Sequence, residues 1–346
     1  MLERPVDGTP VQTTGESPGR MVAEGAGYTD AMTTSGRVPV TLLDPSAGAW
    51  LAQQLAEGAQ LRHEVTRVVP RGRPQPYEAF ARIFHPVPWT CEWTAANARC
   101  VESLGLVPDR VPTEPGAMAD GMTTWAEVAA DQGTEVHASA QWADLARGEA
   151  GGFATSRSCP GLEYGQVADG EFIGPGAAAL ADVLLAHTST PVDLVLGLWE
   201  GKDSLSIVVN GDSGVGADGQ DDSVRHPLRS SADEALRTGE GLLSVFDVGR
   251  RYLLIGDDGS RLHDPVWGAR ADLPGEGRRL WPNLAWPQDR AWTMATEIDD
   301  CWTLVAGSWE LIRALCSHPD LEALPIRPDA GLGPFSDTVN GRSPSA

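Results

Sequence analysis

The sequence predicts an α+β fold: an antiparallel sheet with helices packed on one face, behind a disordered N-terminal tail. Three observations lead there. Apolar strands in the second half are joined by turns too short for parallel crossovers, which need a dozen or more residues. Amphipathic segments carry their own cap residues and suit helices laid on such a sheet. Residues 1–43 are rich in Gly, Thr, Ser and Pro and lack apolar periodicity, so they cannot bury enough surface to offset the entropy of ordering.

Taken in order, Ser46 caps a helix carrying Trp50, Leu51, Leu55, Leu61, Val65 and Val68, which Pro70 stops. A Pro-rich joint runs to Pro76. Tyr77 to Phe84 reads as a strand ended by Pro86 and Pro88, and Ala95 to Leu104 as a short helix. Val107 to Gly121 is loop. Thr124 and Glu127 form a capping box for a helix over 124–131, and Glu135 to Arg147 is expected to form another. Gly176 to His187 is an Ala- and Leu-rich helix, and Val192 to Trp199 is apolar enough for a central strand covered on both faces. Leu205, Ile207 and Val209 alternate on a returning strand. Arg251 to Gly256 is a strand that Asp258-Gly259 should turn into a hairpin. Ala291 to Ile298 alternates Trp292, Met294 and Thr296 against Thr293, Ala295 and Glu297, and Trp302 to Gly307 returns. Ser308 caps a last helix with Leu311, Ile312, Leu315 and Cys316 on one stripe.

These elements divide the chain into a tail (1–43), an α-rich part with at least one strand (44–170), an antiparallel-sheet domain (171–330) and a disordered C-terminal tail (331–346). A length of 346 residues suits about two such modules. The net charge of −22 repels a phosphate backbone, so nucleic acid is not an expected partner. The most apolar region, Gly176 to Trp199, is interrupted by Asp182, His187 and Asp193, so no membrane association is expected. No basic and then apolar leader opens the chain, and the expected setting is the cytoplasm. Five cysteines, never in C-x-x-C, read as free thiols in a reducing compartment.

Enzyme motifs occur without the context their chemistry needs. Gly214 to Gly219 spells G-x-G-x-x-G, but Asp212, Asp218, Asp221 and Asp222 surround it and no helix N-terminus follows to meet a pyrophosphate. Gly211-Asp-Ser-Gly214 copies four residues around a serine-protease nucleophile without the earlier histidine segment. None of the seven histidines stands in H-x-H, H-x-x-x-H or H-E-x-x-H spacing. No cofactor and no metal are therefore expected, and the 210–224 stretch reads as an acidic, solvated loop.

Tryptophan is the outlying feature: twelve Trp against four Tyr and six Phe, with Trp267, Trp281, Trp286, Trp292, Trp302 and Trp309 crowded into the last third. Indoles serve cores, interfaces or sugar-stacking platforms. Trp281-Pro-Asn-Leu-Ala-Trp286-Pro-Gln-Asp289-Arg290 has prolines that oppose regular structure and aromatics that demand cover. Near it lie Glu297, Asp299 and Asp300. The expected binding surface is therefore Trp281, Trp286, Asp289, Arg290, Glu297 and Asp299; paired carboxylates beside an arginine also suit acid/base work, or form a salt-bridged turn.

The blocks Trp286-Pro-Gln-Asp-Arg-Ala-Trp-Thr-Met-Ala-Thr-Glu-Ile-Asp299, Val305 to Ser308, Leu321 to Ala323 and Tyr77 to Pro86 resemble an uncharacterised family of hypothetical proteins from high-GC Gram-positive bacteria. The resemblance implies a cytoplasmic bacterial protein and transfers no catalytic residue. The leading expectation is a cofactor-free recognition or accessory protein, of the kind that confers toxin immunity, with another protein as partner. The alternative is a metal-dependent hydrolase using Asp289, Glu297 and Asp299 with a remote histidine, His85 or His263. A carbohydrate-binding module resting on the indoles is third.

Overall fold

A computed structural model describes residues 40–58, 77–108, 119–148, 153–172, 174, 176–201, 232, 234–236, 238–245, 250–264, 267, 280–333 and 335–341. The fold is α+β and the strand pairing is antiparallel throughout. A nine-stranded sheet runs in the order β1 (Thr41–Leu42), β9 (Arg250–Asp257), β7 (Leu194–Trp199), β10 (Leu284–Pro287), β11 (Thr293–Thr296), β12 (Trp302–Gly307), β2 (Ala79–Phe84) and β13 (Ala323–Ile326). Its remaining strand, β8 (Leu243–Val245), pairs with β9. A second sheet has the order β4 (Gly121–Thr123), β3 (Val87–Cys91), β6 (Leu162–Tyr164) and β5 (Ala154–Thr155).

Alternation sorts the large sheet's side chains onto two apolar faces. Ala81, Ile83, Leu196, Leu253, Met294 and Val305 face α5 (Gly176–Ala186) and α7 (Trp309–Ser317), which supply Leu180, Leu184, Leu311 and Leu315. On the opposite face, Phe80, Val195, Leu254, Ala295 and Leu304 pack with Trp286, Trp302 and the Leu51 and Leu55 side chains of α1 (Ala49–Gly58). The third cluster joins the small sheet to α3 (Trp125–Gln132) and α4 (Trp142–Leu145) through Trp89, Trp125, Leu145 and Tyr164. The remaining helices are α2 (Ala95–Ser103) and α6 (Ser260–His263).

Local signals set many of these elements. Thr124 and Glu127 close the capping box on α3, and Ser308 Oγ accepts from Leu311 N at the start of α7. Strand β7 lies between β9 and β10 with both faces covered, as its unbroken apolar run requires. Glu322, just before β13, accepts from the Trp125 and Ala126 N–H groups at 2.6 and 2.7 Å, tying the large sheet to the N-terminus of α3.

The chain departs from its local signals where distant groups take over the backbone. The boundary expected at 170 does not divide the fold, because β2 pairs with β12 and β13 and both halves share one sheet. The helix expected over 135–147 shrinks to α4: the Ala138 and Ala140 carbonyls accept from Arg82, and Asn340 takes the Glu135 N–H. Asp258-Gly259 makes no hairpin. Gly259, at φ +90°, passes the chain from β9 into α6, where Asp258 accepts from Ser260 N. Pro88 does not end its region; it sits within β3, needing no N–H, and its carbonyl accepts from Gly165 N. The end of the helix beyond Gly58, the strand at Leu205 to Val209, the 210–224 loop and residues 1–39 of the tail lie outside the described residues. Thr41 and Leu42, placed in that tail, pair with Gly256 and Ile255.

Within residues 331–333 and 335–341, expected as part of a C-terminal tail, Asp337 and Asn340 are fastened to the fold instead. Asp337 is 5% exposed and accepts from the N–H groups of Gln141, Val339 and Asn340, from Asn340 Nδ2 and from His137 Nε2. Partial burial alone would raise Asp337, but the donors from Asn340, Gln141 and His137 outweigh it and hold the carboxyl at about 2. Replacing Asp337 with Ala leaves these donors unmet and is expected to cost ~3 kcal/mol in urea unfolding. It should also open the 133–141 loop to proteolysis; an unchanged midpoint and cleavage pattern would contradict this role.

Candidate functional site

The residues expected to form one binding surface fall at two ends of β11. Trp281 and Trp286 are 4% and 1% exposed. The Trp281 indole N–H donates to Thr296 Oγ1 at 2.9 Å, and Trp286 meets Trp50 edge to face at 5.9 Å. Neither ring presents a free face, so the sugar-stacking expectation is corrected: both indoles are consumed by the core despite the prolines beside them. Asp289 is spent on a turn, accepting from Thr188 Oγ1, from Ser189 N and Oγ, and from Ala291 N. Burial works against its charge, but these donors outweigh it and keep Asp289 below the ordinary carboxylate range. Arg290 adopts φ 55° and lays its guanidinium over Trp50 at 4.7 Å.

Trp281 is bonded at the Thr296 end of β11, where Glu297 and Asp299 follow, whereas the Asp289–Arg290 turn lies at the other end, about 14 Å from Glu297 by strand rise. The hydrolase constellation is therefore not assembled. His263 is held by Asp182 at 2.7 Å and by the Gly259 carbonyl, between α6 and α5. Among the described residues, no three His, Cys, Asp or Glu side chains converge to hold a metal ion.

What the fold does assemble is a corner of carboxyl groups around the 297–300 turn. Glu297, 2% exposed, forms an ion pair with Arg250, and Asp299, with a side chain 76% exposed, lies 3.7 Å from the same guanidinium. The loop carrying Asp169 docks onto this turn. Gly170 N donates to the Asp300 carbonyl at 3.0 Å. Gly170 holds φ +67° against Ile298, whose carbonyl oxygen would lie 2.9 Å from any Cβ there, so the approach requires glycine.

Charge at this corner is unbalanced. Burial pushes the Asp300 carboxyl up to about 7; Arg82 and Arg250 pull it down, while Asp299 and Asp169 push it further up. Asp169 is likewise raised, by burial and then by Asp299, against a hydrogen bond from Gln166. Arg82 is wholly buried, donates Nη1 to the Ala138 and Ala140 carbonyls, and has Phe84, Trp302 and Trp125 within 4.7–5.6 Å. Burial lowers it to about 10, still charged at neutral pH. Asp300 Oδ2, Glu297 Oε2 and the Arg82 Nε and Nη2 atoms are buried without a hydrogen-bond partner. Such groups carry a desolvation cost that a ligand or water can relieve.

A one-way hydrogen-bond chain positions Asp169. The carbonyl of Ala168 can only accept, so His85 Nδ1–H donates to it at 2.8 Å, leaving Nε2 as acceptor. Thr303 Oγ1–H therefore donates to Nε2 at 3.0 Å, Thr296 donates to Thr303 at 2.8 Å, and the Trp281 indole donates to Thr296. Each hydroxyl gives one proton and takes one bond. His85 is wholly buried, and burial drives its pKa down to about 4, against the Ala168 bond and with help from Arg82.

Glu297 and Asp299 were visible from sequence as acids beside a turn. Asp169, Arg82 and Arg250 carry no local motif and are far apart in the chain; the one hint was a charge inside the apolar run AFARIF. In comparisons with known proteins, the chain matches no family model, no curated protein and no solved structure.

The His85 chain has a pH signature. Its folded pKa lies below the unfolded 6.5, so the unfolded state takes up the proton first. Stability from this group is full above 6.5 and falls as pH drops toward 4, by roughly 3 kcal/mol at the end of that window. His85→Gln keeps one donor and one acceptor without titrating. In denaturant unfolding, the stability difference between wild type and variant should shrink or reverse from pH 7 to pH 4.5; a constant difference would refute a buried His85 kept neutral in the folded protein.

Proposed function

We propose that the protein is a recognition or accessory protein that works without a cofactor and presents the Asp169, Asp299 and Asp300 corner to a cationic group on a protein partner. The supporting observation is the electrostatic excess: the four carboxyls, Glu297 included, face two guanidiniums, and burial and neighbouring acids hold two of them above their ordinary range, Asp169 with Asp299 contributing and Asp300 with Asp299 and Asp169 contributing. A Lys or Arg side chain entering there relieves that repulsion, and the overall charge of −22 speeds the encounter with a basic surface. An immunity-like role in a bacterial cytoplasm, with a basic protein as the one neutralised, is the form of this reading that the charge suits. The Asp289–Arg290 turn is left outside the surface.

The test is affinity capture from the host with wild type and an Asp169→Asn, Asp299→Asn double variant, followed by titration of each captured partner against both forms. Binding of a basic partner is expected to weaken by about tenfold or more in the variant and to fade as salt rises through ~0.5 M. Partners that bind both forms equally at all salt concentrations would remove this surface.

A further inference from the structure

Three thiols from three separate segments meet beside the small sheet, away from the carboxylate corner. Cys91 ends β3, Cys100 lies in α2, and Cys159 lies in the bend between β5 and β6. Cys100 Sγ lies against the carbonyl of Ser158, the residue before Cys159, and Cys159 Sγ lies against the carbonyl of Asn97, three residues before Cys100, so these two thiols share the seam between α2 and the bend, with Cys91 beside it. The backbone holds them there. Cys91 is paired with Leu162, whose N–H bonds the Cys159 carbonyl at 3.1 Å, and Glu92 N donates to Gly161 O at 2.8 Å. Asn97 on α2 reaches across with Nδ2 to the Glu92 carbonyl at 2.7 Å. Each thiol also touches a carbonyl of a neighbouring segment or turn: Cys100 to Ser158 O at 3.3 Å, Cys159 to Asn97 O at 4.0 Å and Cys91 to Glu92 O at 3.6 Å.

Accessibility distinguishes the three thiols. Cys159 is 0% and Cys91 9% exposed, whereas Cys100 is partly open to solvent. We propose that Cys100 and Cys159 are a reversible oxidation site, converted to a disulfide by a hydroperoxide that reaches Cys100 and fastens α2 to the bend before β6. In the first step Cys100 sulfur attacks a peroxide oxygen: the O–O bond breaks, Cys100 becomes a sulfenic acid, and one water leaves when the peroxide is hydrogen peroxide. In the second, Cys159 sulfur attacks the sulfenic sulfur, its proton goes to the departing hydroxyl, and a second water leaves. Two thiols have lost two electrons and the peroxide has gained them. Burial, followed by the Cys100 and Cys91 contacts and Asp131, pushes Cys159 up to about 12, so it attacks as a poor nucleophile and the second step is slow.

The experiment treats the full-length protein with hydrogen peroxide, blocks remaining thiols under denaturing conditions and maps peptides by mass. Expected are a loss of two hydrogen atoms, a Cys100–Cys159 linked peptide that dithiothreitol removes, and retention of that link in Cys91→Ser. Cys159→Ala should lose the link and increase dimedone labelling of Cys100. Cys100→Ser, at the partly open position, should lose both the link and the labelling with an unchanged circular dichroism spectrum. Five free thiols after oxidation, or a link that joins any other pair, would overturn the proposal.

Discussion

A guanidinium sealed inside an antiparallel sheet is the constraint on which this molecule depends. Arg82 stands on β2, which also leads directly into the second sheet through His85 and Pro86. Removing a cation from water costs several kcal/mol even after relaxation, so the surroundings must answer it. They do so with two carbonyls from the 138–140 segment, three aromatic rings within cation–π range and the carboxyl of Asp300. The 138–140 segment stays out of helix because its carbonyls are committed to Arg82. Asp337, which also exerts an attractive charge on Arg82, pins the same segment from outside.

The same constraint produces the carboxylate corner. A buried cation allows one carboxyl to be drawn inward at the 297–300 turn, but Glu297, Asp299 and Asp169 accompany it and exceed the positive charge supplied by Arg82 and Arg250. Holding Asp169 in that company takes the whole His85 chain, from the Trp281 indole to the Ala168 carbonyl. The indoles that dominate the composition thus act on the site from behind: Trp281 fixes the direction of the chain, and Trp125 donates its N–H to the His85 carbonyl at 2.9 Å.

How much of this was legible in the sequence follows from the range of each interaction. Helices α3, α5 and α7 and strands β7, β9, β11 and β12 announce themselves through caps and periodicity, which are local. The small sheet was hidden because its strands are two to five residues long and one contains Pro88. The shared large sheet was hidden because β2 pairs with segments more than two hundred residues away. Of the expected site, Glu297 and Asp299 belong to the corner, and Asp300 follows them in the sequence. The prolines beside Trp281 and Trp286 give them the sequence pattern of a surface loop, yet burial satisfies an indole as well as a ligand does. Asp169, Arg82 and Arg250 become neighbours only through long-range pairing and a glycine-dependent loop contact, which no spacing rule encodes.

The most direct measurement is the titration of Asp300 itself, followed through its carboxyl carbon by nuclear magnetic resonance in the intact protein. A midpoint near 7 is expected, because burial and the neighbouring aspartates outweigh Arg82 and Arg250. A midpoint near the ordinary 3.8 would mean that solvent or the arginines fully compensate the charge, and it would contradict both the unbalanced corner and the cationic partner proposed for it.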